Sequence, residues 1–145
     1  MSIDQLYQGI LLDHNRQPRN FKRLDGVTHS ARGQDASCGD DLLVELEVRA
    51  GTIVQAAFSG EACAVTKASA SMLTEWLIGR SVTDVADGLL SFRALLETQQ
   101  QQTLDEPDSI LGELVLLQPV GAFPARRRNA LLPWRTVLKA LDMQG

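Results

Sequence analysis

An α+β fold is predicted by three features of this sequence. An alternating run, Leu42-Leu43-Val44-Glu45-Leu46-Glu47-Val48, is followed by the turn pair Ala50-Gly51 and a return run, Ile53-Val54-Gln55-Ala56-Ala57-Phe58. Period-2 alternation on both sides of a two-residue turn is the pattern of a β-hairpin. On either side of that hairpin, apolar residues recur at helical spacing. No repeat and no linker-like composition divides the 145 residues, so one domain spanning 1–145 is expected.

The elements follow in chain order. Ser2 to His14 reads as a first helix, with Ile3, Leu6, Tyr7, Ile10 and Leu11 on one stripe. Asn15 to Asn20, with Pro18 inside, ends it. Val27 to Gln34 is a further strand-like stretch with poor alternation, which brings the expected sheet to about three strands. After the hairpin, Val65, Ala68, Met72, Leu73, Trp76 and Leu77 fall at helix spacing and Gly79 stops the run. Ser81 with Asp84 resembles a capping box for a third helix, whose stripe is Val82, Val85, Leu89, Phe92 and Leu96. Gln99 to Gln102 reads as a polar loop or frayed end, and Asp108-Ser109 as the cap of a short helix through Leu117. Pro119 to Pro124 reads as a loop, and a last helix carries Leu131, Trp134, Leu138 and Leu141.

Composition excludes several classes. Hydrophobic residues make up 44% and charged residues 22%, the proportions of an ordinary globular chain. A net charge of −4 argues against a nucleic-acid partner, which requires a basic face to offset phosphate. No apolar stretch approaches the roughly 20 residues of a membrane span. The first residues, Met1-Ser2-Ile3-Asp4-Gln5-Leu6, lack the basic and apolar segments of a secretory signal, so a cytoplasmic location with reduced thiols is expected.

The two cysteines carry the chemistry. Cys38 lies in Ser37-Cys38-Gly39-Asp40, just ahead of the hairpin, and Cys63 follows it in Glu61-Ala62-Cys63-Ala64-Val65. Antiparallel pairing brings the two ends of the hairpin together, so both thiols are expected at one place although 25 positions apart. Two thiols and the Asp40 carboxylate on turns at element ends point to metal or sulfur chemistry. For Cys38 the competing role is a small buried hydrophobe, which a polar, glycine-flanked turn disfavours. Asp40 taken alone reads as a turn side chain bonding nearby backbone. Cys63 at a helix start reads as a reactive or ligating thiolate. No histidine is spaced to pair with either thiol, which argues against a cysteine hydrolase.

These residues resemble the SufU/IscU-type iron–sulfur cluster scaffold proteins, which are similar to the N-terminal domain of NifU. The resemblance rests on Gln17-Pro18-Arg19-Asn20-Phe21, Ser37-Cys38-Gly39-Asp40, Phe58 to Ala70 with Ser71-Met72 following, Phe123-Pro124, and Asn129-Ala130-Leu131-Leu132-Pro133-Trp134, in that order along nearly the whole chain. The long interval between Cys63 and Asn129 is that of the SufU branch. The resemblance implies a small antiparallel sheet with helices packed on one face. It implies a site for Zn²⁺ or an iron–sulfur cluster held by Cys38, Asp40 and Cys63, and a cysteine desulfurase and other assembly proteins as partners. A non-enzymatic scaffold is the implied role.

One position departs. Where the family carries a third cysteine, a zinc ligand and candidate sulfur acceptor, this chain has Asn129. An amide accepts no persulfide sulfur and is a weak ligand beside thiolate, imidazole or carboxylate. Asn is a favoured N-cap, and a capping role at the start of the last helix is the expectation for it. Smaller departures are Asp35-Ala36 for Asn-Pro and Ala62 for Gly. His14, His29, Asp25 and Asp35 are the other side chains with ligand chemistry, though their spacing does not support it. Arg126-Arg127-Arg128 reads as a solvated run abutting the site. Two function classes follow: a scaffold or sulfur carrier holding metal or cluster through Cys38, Asp40 and Cys63, or a degenerate homologue that docks assembly partners and holds no cluster.

Overall fold

The computed structural model describes residues 2–98 and 110–143. The expectations for Gln99 to Gln102 and for Asp108-Ser109 lie outside the described residues. Helix α1 spans Ile3–Arg16, strands β1, β2 and β3 span His29–Asp35, Asp40–Arg49 and Thr52–Glu61, and helices α2 and α3 span Ala64–Leu77 and Thr83–Glu97. A 3-10 helix, Gly112–Ala122, leads into α4, Pro124–Ala140. The strands form one antiparallel sheet in the order β1-β2-β3.

The β2–β3 hairpin turns as its sequence predicts. Ala50 and Gly51 both take positive φ, 50° and 76°, as a two-residue turn matched to strand twist requires. The register runs from Arg49 opposite Thr52 to Asp41 opposite Glu61. Leu42, Val44 and Leu46 give the sheet an apolar face, on which α4 lies along β1 and β2 while α2 packs against β3 and α4. The opposite face is covered by the chain before β1. There Arg23 pairs with the buried Glu45 carboxylate at 2.9 Å and holds it below the usual carboxylate range. The stretch expected to begin at Val27 becomes β1 at His29, its residues alternating between half-buried and exposed.

Three helical boundaries differ from expectation. The capping box on Ser81 and Asp84 does not form. Val82 is the N-cap of α3, without a side-chain cap bond, and the Ser81 hydroxyl takes the Thr83 N–H instead. The loop expected from Pro119 is part of an 11-residue 3-10 helix. Leu111, Leu114, Leu117 and Val120 recur every third residue and are all buried. That spacing fits three residues per turn, which stacks positions i and i+3. The last helix opens at Pro124, five residues before Asn129, because proline at the first helical position needs no N–H partner and already has helical φ. Asn129 is therefore inside α4 and caps nothing. By contrast, the first helix starts as read, on Ser2 with a closed capping box to Gln5, and ends two residues beyond His14. Trp134 sits in the middle of the core, its ring 5.2 Å from that of Trp76 and 5.5 Å from that of Phe92.

Candidate metal centre

The sheet carries both cysteines to the same end. Asp41 pairs with Asp35's neighbour Gln34 on one side and with Glu61 on the other, so the β1–β2 loop with Cys38 adjoins the β3–α2 junction with Cys63. Asp40 opens β2 between them. Its side chain points inward and only 2% of the residue is exposed.

Asp40 and Cys63 are in direct contact. The Cys63 backbone N–H donates to Asp40 Oδ1 at 2.8 Å, fixing the N-cap residue of α2 to the first residue of β2. Thr66, one turn into α2 and fully buried, donates its hydroxyl to Asp40 Oδ2 at 2.6 Å. Its oxygen also lies 3.2 Å from Cys63 Sγ. Since Thr66 gives its one proton to Asp40, the thiol is the donor in that contact. Cys63 Sγ reaches Asp40 Oδ2 as well, at 3.9 Å. No Lys, Arg or His forms an ion pair with Asp40 among the described residues. A buried carboxylate that has hydrogen bonds but lacks a countercharge is the arrangement a cation would stabilise.

Cys38 is half-buried on the loop beside this cluster. The loop is tied down on its N-terminal side. Ser37 donates from its backbone and hydroxyl to Asp35 Oδ1 at 3.1 and 2.6 Å, and Cys38 N–H donates to Asp35 O at 3.2 Å. The Ser37 hydroxyl bond, with help from the Arg128 guanidinium, holds the Asp35 carboxyl below its ordinary range. On the other side, Gly39 takes φ +73° and faces open space. The loop is anchored at Asp35, and Gly39 supplies the positive φ with which the chain enters β2. Among the described residues no three His, Cys, Asp or Glu side chains are gathered closely enough to enclose an ion. Asp40 and Cys63 form the fixed part of the site and Cys38 stands next to it.

Other elements close the surroundings. Helix α4 runs antiparallel to β1: Lys139 Nζ donates to Arg32 O at 3.1 Å, and Arg128 reaches Ser37 Oγ at 3.2 Å and Asp35 Oδ2 at 3.5 Å. Arg126 lies over the Phe123 ring, 4.7 Å from its centroid. Tyr7 of α1 feels both Arg126 and Cys63. Burial raises its hydroxyl's pKa, the arginine opposes that, and the thiol adds to it. Thr66 and Tyr7 were read in the sequence only as helix positions. A hydroxyl three residues after a helix-opening cysteine is the signal that marks Thr66, since i and i+3 share a helix face.

The other side chains with ligand chemistry lie elsewhere or are engaged. His14 is fully buried between Ser71 Oγ at 2.6 Å and Glu113 Oε1 at 2.8 Å, where it joins α1, α2 and the 3-10 helix. His29 is at the far end of β1, against Thr28. Asp25 is exposed in the segment before β1, and Asp35 is occupied by Ser37 and Arg128. No helix among the described residues is long and apolar enough to cross a membrane.

Comparison with known proteins agrees with this architecture. The zinc-dependent sulfurtransferase SufU of Bacillus subtilis (strain 168) is 32% identical over 144 residues, covering 97% of this chain and 92% of that protein. The iron–sulfur cluster assembly scaffold protein IscU of Thermotoga maritima is 28% identical over 143 residues, covering 97% and 96%. The crystal structure of the N-terminal part of a nitrogen-fixing NifU-like protein from Brucella abortus superposes with a TM-score of 0.81 at 21% identity, covering 97% of this chain and 94% of that one, and so shares the fold. Residues 6–130 match the family model described as the NifU-like N terminal domain, and the chain belongs to that family of iron–sulfur cluster assembly scaffolds.

Proposed function

We propose that this single domain is a sulfur carrier and scaffold of iron–sulfur cluster assembly, working with a cysteine desulfurase, and that Cys38, Asp40 and Cys63 hold its metal. The observation that carries the reading is the buried Asp40 carboxylate in contact with Cys63 and, among the described residues, without an ion-pair partner. Two thiols and a carboxylate are a donor set suited to Zn²⁺, and the similarity to a zinc-dependent sulfurtransferase favours the same ion. Zinc, when bound, keeps the sulfurs as thiolates at neutral pH.

The residues divide the work. Thr66 and the Cys63 N–H hold Asp40 in one orientation, so both its oxygens face the junction. Cys63, fixed at the start of α2, is the permanent sulfur ligand. Cys38 joins by a turn of its loop about Gly39 and is the thiol free to leave again. It is therefore the sulfur acceptor. Its thiolate attacks the outer sulfur of the desulfurase persulfide. A new S–S bond forms on Cys38, the S–S bond of the donor breaks, and the donor cysteine departs as a thiolate.

Incubation with a cysteine desulfurase and cysteine, followed by mass measurement of the intact protein, tests this. The wild type and Cys63→Ser are expected to gain one sulfur atom per chain, and Cys38→Ser to stay at background. Loading on Cys63 in the Cys38→Ser variant would transfer the acceptor role to Cys63. A wild type that docks the desulfurase and takes no sulfur would leave the degenerate docking homologue as the correct reading.

A further inference from the structure

Asn129 is in an unusual position for a helix-interior asparagine. The residue is 6% exposed, and its side-chain Oδ1 is buried without a hydrogen-bond partner. An orphaned amide oxygen inside a protein is disfavoured by a margin that evolution rarely leaves uncompensated. The residue one helical turn later is Pro133, which has no N–H to offer the Asn129 carbonyl. Asparagine competes with a helix's own backbone bonds, so neither helix propensity nor capping explains its presence here.

Its neighbours in sequence locate it. Arg128, immediately before it, reaches Ser37, next to Cys38. The carbonyl of Ala130, immediately after it, accepts from the Ser69 hydroxyl at 2.7 Å, and Ser69 stands three residues beyond Thr66 on α2. The packing of α4 on β1 gives the same placement. Thr136 lies against Gly33, where an added Cβ would meet its Oγ1 at 1.9 Å. Asn129 is seven residues earlier on that face of the helix, about 10 Å along its axis. About 10 Å beyond Gly33 on an antiparallel path is three strand residues, the start of the Cys38 loop. These contacts carry residues 128–130 of α4 to the Cys38 loop on one side and to α2 on the other.

We infer that the Asn129 amide oxygen is the fourth contact of the metal site, so that this chain holds its ion with two sulfurs and two oxygens. The inference rests on the proposed role of Cys38, Asp40 and Cys63 in holding metal. It gives the site a neutral, exchangeable oxygen where a thiolate would bind firmly. The consequence is a selectivity shifted away from soft ions and toward borderline and harder ones such as Fe²⁺, Co²⁺ and Zn²⁺.

Cobalt(II) and cadmium(II) titrations of wild type, Asn129→Ala, Asn129→Cys and Cys63→Ser, with thermal melting of each apo protein, test it. Asn129→Ala is expected to bind Co²⁺ about tenfold or more weakly than wild type, the usual scale for loss of a supporting contact, while its apo melting temperature stays level or rises. Asn129→Cys is expected to gain more affinity for Cd²⁺ than for Co²⁺. Equal Co²⁺ affinity in wild type and Asn129→Ala, with binding lost in Cys63→Ser, would overturn the inference and leave the three-residue site standing. A weakening that comes with a lower apo melting temperature would also overturn it, since Asn129 would then be holding the fold. Absence of Co²⁺ binding by the wild type would overturn both the inference and the reading it rests on.

Discussion

Asp40→Ala is expected to lower stability by about 2–4 kcal/mol and to reduce zinc affinity by tenfold or more. The stability loss follows from what Asp40 satisfies. Its removal leaves the Cys63 N–H at the head of α2 and the fully buried Thr66 hydroxyl without acceptors. Each orphaned buried donor costs about 1–3 kcal/mol, and for a chain of this size about 3 kcal/mol lowers the melting temperature by roughly 10 °C. Relief of burying an unpaired carboxylate offsets part of that cost, so the stability change falls in the lower half of the combined range. The affinity loss follows from removing the one carboxylate that, among the described residues, hydrogen-bonds Cys63. Thermal melting of the metal-free protein reads the first effect, and competition with a chromophoric zinc chelator reads the second. A variant that melts with the wild type would show that β2 and α2 are joined by packing alone and that the hydrogen-bonded network at their junction is incidental.

Gly60→Ala is expected to destabilise the protein by about 2–5 kcal/mol and to spread the two sides of the metal site apart. Gly60 has φ +109°, a conformation that L side chains rarely adopt, and an added Cβ would lie 2.1 Å from Asp41 O. The obstacle is backbone of the neighbouring strand, so no side-chain rotation relieves it. The strand must lift from β2 at its last pairs, Leu42 with Gly60 and Asp41 with Glu61. Those pairs set the separation of Asp40 from Cys63. Urea denaturation is the check, with zinc affinity measured under conditions where the variant remains folded. Unchanged affinity in a destabilised but folded variant would mean the junction is held from α2 rather than through the hairpin.

The same residues explain how much was legible beforehand. The hairpin was readable because its turn and its period-2 alternation agree. From it followed the proximity of the Asp40 end of β2 to Cys63, which is a consequence of antiparallel register and needs no tertiary knowledge. A short helix through Leu117 was legible, but the last turn of the 3-10 helix was misread because Pro119 suggested a loop, although the three-residue spacing from Leu111 to Val120 was visible in the sequence. Pro124 misled in the same way. A proline that opens a helix and one that sits in a loop look alike until the packing of the following turns is known. That misplacement hid the most informative residue. With α4 starting near position 129, Asn129 reads as a cap; with α4 starting at Pro124, it becomes a buried amide lacking a partner. Tyr7 was invisible as a site residue because what distinguishes it is which side chains it meets across the junction, whereas Thr66 carried a signal, a hydroxyl one turn after Cys63, that left only its partner Asp40 unread.

X-ray absorption fine structure at the zinc edge of the loaded wild-type protein tests most directly whether Cys38 and Cys63 share one ion. The account predicts one zinc per chain with two sulfur neighbours at about 2.3 Å and two oxygen neighbours at about 2.0–2.2 Å. A spectrum with a single sulfur per zinc, or with none, would contradict it.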